Sequence, residues 1–121
     1  MVERLRHTAQ DLQSALGRIY RQLDRDRKVE FMIDAHRGDL AERLSEVVAR
    51  RRVAGPRERV RLHRVIEAIR AGLESDAARL QLLGAHDAEL VAKARSLQDR
   101  LDRILRDIRA MRPGAPSAGP T

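Results

Sequence analysis

Residues 47–66 read Val47-Val-Ala-Arg-Arg-Arg-Val-Ala-Gly-Pro-Arg-Glu-Arg-Val-Arg-Leu-His-Arg-Val-Ile66, and Ala54-Gly55-Pro56 at their centre is the sharpest internal break in the chain. Glycine suits the position just past a helix C-terminus, and proline suits the first turn of the next helix. On either side the sequence repeats in sevens. Going back from the break, Val47, Leu40, Ile33, Asp26, Ile19, Leu12 and Leu5 are spaced by seven, accompanied by Leu44, Arg37, Glu30, Leu23, Leu16 and Ala9. Going forward, an alternating four-and-three series runs Leu62, Ile66, Ile69, Leu73, Asp76, Leu80, Leu83, Asp87, Leu90, Ala94, Leu97, Leu101, Ile104, Ile108, Met111. A strict heptad sustained this long is the mark of a coiled-coil seam. The expected fold is therefore all-α, a long antiparallel two-helix hairpin with helices over 3–53 and 57–112 and a turn at 54–56. Side-by-side pairing of two hairpins into a four-helix bundle is its natural extension.

The two repeats are mutually consistent. Folding the chain at the Gly-Pro turn brings together positions whose numbers sum to 113, so Val47 meets Ile66, Leu40 meets Leu73, Ile33 meets Leu80 and Leu16 meets Leu97. In that register Arg37 lies opposite Asp76, and the pair is expected to pin the alignment as a polar layer. Asp26 falls opposite Asp87, which is unfavourable, and is expected to be solvated and paired with Arg25 or Arg27. The competing architecture breaks the helices at Gly38-Asp39 and near Gly84 into four shorter ones. A hinge has no reason to preserve heptad phase, which favours the hairpin.

Composition limits what such a chain can do. Of its 121 residues 36% are charged and 2% aromatic, so it can fill a thin seam but not a thick core. It has no cysteine, which excludes disulfides, thiolate metal sites and cysteine nucleophiles and fits a reducing, cytoplasmic setting. The charged start lacks the apolar stretch of a signal peptide, and no run is long enough to span a membrane. Residues 113–121, Pro-Gly-Ala-Pro-Ser-Ala-Gly-Pro-Thr, have no apolar face and are expected to be a disordered tail. His7, His36, His63 and His86 show no metal-ligand spacing, and neither a phosphate-cradling glycine loop nor a nucleophile elbow is present. Neither catalytic residues nor a metal or cofactor are expected.

Charge placement is the strongest functional signal. Arg50, Arg51, Arg52, Arg57, Arg59, Arg61 and Arg64 stand against the single acid Glu58, a net of +6 within a chain of +7. At the end of a hairpin they would form a basic tip for phosphates or an acidic protein. Apolar residues outside the seam are the second signal, Val29, Met32 and Leu82 on one flank and Val48, Val91 and Leu105 on the other. They widen the apolar stripe past what two helices need, and invite a partner helix or a second copy.

The stretch Glu30-Phe-Met-Ile-Asp-Ala-His-Arg-Gly-Asp-Leu40, on a long helix leading to a basic stretch, resembles the flagellar export chaperones of the FlgN type. The region from Leu80 to Leu105, with a tail after it, is similar to their second long helix. The resemblance implies a bacterial, cytosolic, non-enzymatic protein that holds terminal helices of secreted subunits. The chain departs from that family in its basic balance and in a tail without an aromatic residue. The expected function is thus a protein-binding module, a chaperone or adaptor of an export or assembly system. The alternative is a nucleic-acid-associated scaffold that uses the arginine tip on phosphates.

A helix rises about 1.5 Å per residue, so two such segments should make a hairpin roughly 80 Å long. Its radius of gyration should be on the order of 23 Å, against roughly 14 Å for a compact domain of this length. Small-angle X-ray scattering from a monomer should return the larger value, and the smaller one would mean four helices folded back on themselves.

Overall fold

The computed structural model describes residues 1–111; the expected tail at 113–121 lies outside them. Two α-helices make up the described chain, α1 (Val2–Arg52) and α2 (Pro56–Ala110), packed against each other as an antiparallel all-α hairpin. Both helices run without interruption through Gly17, Gly38, Gly72 and Gly84, so the four-helix alternative does not occur. No described helix is long and apolar enough to cross a membrane. Terminal charges favour both helices: Glu3 and Glu58 stand in the first turns, and Arg50, Arg51, Arg52 and Arg109 in the last.

The turn works differently from the expectation. Gly55 does not adopt the left-handed conformation of a C-terminal cap. The last turn of α1 instead tightens, with the amides of Val53 and Ala54 donating to the carbonyls of Arg50 and Arg51 at 3.3 Å each. The Gly55 carbonyl accepts from the Arg59 amide at 2.9 Å, which makes Gly55 the N-cap of α2. Pro56 follows at the first helical position, where its missing N–H leaves no bond unmade.

The chain forms two compact units. One combines Met1–Asp24 with the described residues from Asp87 onward; its core holds Ala9, Leu12, Leu16 and Ile19 of α1 with Ala94 and Leu101 of α2, flanked by Leu23, Leu90 and Leu97. The other is Arg25–His86, with a core of Val47, Leu62, Ile66 and Ile69 supported by Leu40, Leu44, Val65 and Leu73. The first cluster contains both members of the register pair Leu16–Leu97 and the second both members of Val47–Ile66 and Leu40–Leu73, while Ile33 is buried outside the two clusters. Leu62 and Ile66, directly after the turn, are the most deeply buried side chains at 2% and 1% exposure. Full burial of a side chain of that size contributes about 1.5–3 kcal/mol, so the seam is anchored next to the turn.

Glycine in a helix costs about 1 kcal/mol relative to alanine, and three glycines of the Arg25–His86 unit differ in what surrounds them. A Cβ at Gly38 or Gly84 would meet nothing within 4 Å, whereas one at Gly72 would lie 3.2 Å from Leu40 Cδ1. Gly38→Ala and Gly84→Ala should each raise stability in urea by about 0.5–1 kcal/mol. Gly72→Ala should gain clearly less or lose, because Leu40 must give way. Equal gains at all three positions would contradict this packing.

Candidate binding surfaces

The Arg25–His86 unit carries most of the unusual chemistry, beginning with its buried acids. Asp26 and Asp76 occupy seam positions at 6% and 3% exposure, the only polar residues among those buried in the described chain. A carboxylate there needs donors, since an unsatisfied buried acceptor costs about 1–3 kcal/mol. Each receives one from a histidine of the opposite helix. His36 Nδ1 donates to Asp76 Oδ2 at 2.5 Å, and His86 Nδ1 faces Asp26 Oδ2 at 3.3 Å. A carboxylate accepts, so the nitrogen facing it is one that carries a proton. Arg79 adds a longer contact to the other oxygen of Asp76, at 3.8 Å.

This corrects two expectations. Asp26 is not a solvated acid; it is buried and meets His86. Asp76 is held by His36 and Arg79, while Arg37, expected as its partner, is half-buried with its Nε enclosed and without a hydrogen bond. The reason is geometric. Arg37 shares a layer with Asp76, but its enclosed Nε makes no hydrogen bond and no ion pair joins it to the carboxylate. His36, one residue earlier on the flank, is short enough to deliver its nitrogen straight into the seam.

The histidine contacts also define a face. His36 shares one side of α1 with Arg25, Val29 and Met32, at helical spacings of four, three and four. On α2, His86 shares a side with Ser75, Arg79 and Leu82 at the same spacings. Since His36 and Arg79 grip the two oxygens of one carboxylate, both strips flank the seam on the same side. The apolar members stand open to solvent: Val29 is 40% exposed, Met32 68% and Leu82 73%. From Arg25 to His36 and from Ser75 to His86 neither strip carries an exposed acid; the next position along the α1 strip, Asp39, is an exposed one. Within those spans the ionisable members are Arg25, Arg79 and the two histidines.

The residues expected on the other flank fare differently. Val48 and Leu105 are partly buried against the core clusters of their own units, while Val91 is 38% exposed. Flanking positions adjoin the seam, so a branched side chain there can fold onto it and serve the hairpin itself.

At the turn, Arg50, Arg51, Arg52, Arg57, Arg59, Arg61 and Arg64 are all exposed. Arg61 bonds Glu58 at 2.9 Å; among the described residues none of the other six has a carboxylate within ion-pair distance. Arg51 and Arg52 of α1 and Arg59 of α2 line a shallow cleft of about 270 Å³ together with Val48. The histidines were the residues that sequence reasoning missed. The available signal was their numbering: each His–Asp pair sums to 112, one step off the layer register, where a flanking side chain reaches into the seam.

A double-mutant cycle in urea should show His36 and Asp76 coupled by at least about 0.5 kcal/mol, and Arg37 and Asp76 uncoupled. His36→Ala alone should cost about 1–2 kcal/mol, because a buried acceptor loses its nearest donor. Coupling confined to Arg37 would restore the simple opposition of layers.

No protein-family model matches this sequence, and neither a curated protein nor a solved structure is significantly similar to it.

Proposed function

We propose that this chain works by binding and not by catalysis, as a helical chaperone or adaptor of an export or assembly system that captures a partner's helix. The observation that carries this reading is the exposed face of Val29, Met32 and Leu82 beside the two His–Asp pairs. Large apolar side chains spaced along two helices on one side of a seam form a groove of the kind an amphipathic helix occupies. The charges around them select its chemistry. With Arg25, Arg79 and two histidines beside Val29, Met32 and Leu82, and the exposed Asp39 only beyond His36, the middle of the groove complements a helix whose apolar stripe is edged by Asp or Glu. The stretch that resembles the flagellar export chaperones, residues 30–40, lies on the same part of α1 as Met32 and His36. A two-helix layer also encloses no interior from which water could be excluded around a reaction.

A labelled synthetic helix with leucines at i, i+4 and i+7, bordered by glutamates, should bind saturably by fluorescence anisotropy. The same peptide bordered by lysines should bind more weakly. Met32→Arg combined with Leu82→Arg should weaken capture about tenfold or more, some 1.4 kcal/mol. It should leave circular dichroism and the thermal midpoint unchanged, since both side chains are mostly exposed. Undiminished capture would reject the groove. A dimer in sedimentation that this double variant dissociates would assign the face to a second copy of the chain.

A further inference from the structure

The arginine tip lies apart from the apolar groove and has no use in capturing a helix. We propose that it is a second binding site, for the phosphate backbone of a double-stranded nucleic acid. The first observation is convergence. Arg51 and Arg52 arrive from the end of α1 and Arg59 from the start of α2, yet all three line one cleft over Val48. Neighbouring guanidinium groups repel one another, and among the described residues no carboxylate pairs with any of these three. A guanidinium presents a rigid fork of N–H donors that fits phosphate oxygens two at a time, so an anion seated there would relieve the repulsion.

The second observation is a strip. Arg57, Arg61 and Arg64 follow at spacings of four and three along the exposed side of α2. Seven residues of helix rise about 10 Å, enough to run beside more than one phosphate of a duplex, which carries a charge for every ~1.7 Å of its axis. Cleft and strip together offer a run of cations instead of a pocket for one small ion.

The chemistry discriminates among polyanions. The tip is made almost wholly of donors; its one acid, Glu58, is engaged with Arg61 at 2.9 Å. Such a surface suits a ligand that presents only acceptors at regular intervals, as a sugar–phosphate backbone does. An acidic protein would bring amide and cationic donors with few acceptors to meet. A bilayer would ask for apolar insertion, and the tip offers only Val53 and Val60, exposed at 87% and 59%, with no aromatic residue. Without aromatic or base-reading side chains, binding has little sequence preference.

Fluorescence anisotropy of the full chain with a labelled random-sequence 20-base-pair duplex tests the site. Each neutralised phosphate releases counterions, so four to six contacts should give a log–log salt slope of about −4 to −5, a several-hundred-fold loss between 50 and 200 mM salt. The triple variant Arg51→Gln, Arg52→Gln, Arg59→Gln should flatten that slope by roughly 2–3 while circular dichroism and capture of the acidic helix stay unchanged. A control with the same loss of charge elsewhere, Arg18→Gln, Arg95→Gln, Arg103→Gln, should leave the slope within about one contact of wild type. Absence of binding at 20 mM salt would overturn the proposal, as would equal flattening by the control. Tighter, cleft-dependent binding to poly-glutamate or to vesicles of anionic phospholipid would also overturn it, moving the tip to those ligands.

Discussion

A pair of helices has one seam, and each apolar side chain in it is covered by neighbours from a single opposing helix. Everything else in this protein follows from how little such a seam can hide. Leu62 and Ile66, beside the turn, reach nearly complete burial, while many other seam leucines stay half-covered. With so small an apolar margin, a buried carboxylate would be costly if left alone. Asp26 and Asp76 are tolerable because a histidine from the facing helix closes over each. The same contacts oppose sliding, since a shift of one helix along the other would separate both pairs at once. Polar groups retained in a coiled-coil seam commonly specify register in this way.

The seam was readable in the sequence because heptad spacing is a direct imprint of helix geometry. Ala54-Gly55-Pro56 located the turn for a comparable reason, although Gly55 serves as the N-cap of α2 and not as the left-handed end of α1. What could not be read was which side chain reaches which. Counting along two helices gives the layer in which Arg37 and Asp76 sit, but not which neighbouring side chain meets the carboxylate. His36 prevails because it is short and approaches from the flank. Val48 and Leu105 resist sequence reading for a related reason, as whether a flanking residue leans into the core or away depends on its neighbours' rotamers. The arginines needed no such detail; long charged side chains beside a turn are exposed in almost any arrangement.

Exposed apolar side chains and dense positive charge place opposite demands on a surface, and within the Arg25–His86 unit they are kept apart. The exposed side chains of Val29, Met32 and Leu82 lie many helical turns before or after Gly55, while the arginines crowd around it. The separation has an electrostatic basis. Charge density is easiest to tolerate where solvent surrounds a chain reversal, and there the basic end of α1 also meets the negative end of its own helix dipole. The acidic first turn of α2, Glu58, is the counterpart and holds one arginine in place.

The two His–Asp pairs are also related to each other. Asp26 and His36 on α1 correspond to Asp76 and His86 on α2, fifty positions later, and each aspartate meets the histidine of the other set. The same offset carries Met32 onto Leu82. The middle of the unit therefore has an approximate dyad: turned end over end, it presents much the same face. A helix laid along it would meet nearly equivalent apolar and imidazole positions whichever way it ran. Polarity would rest on the two places where the symmetry fails, Val29 against Arg79 and Arg25 against Ser75.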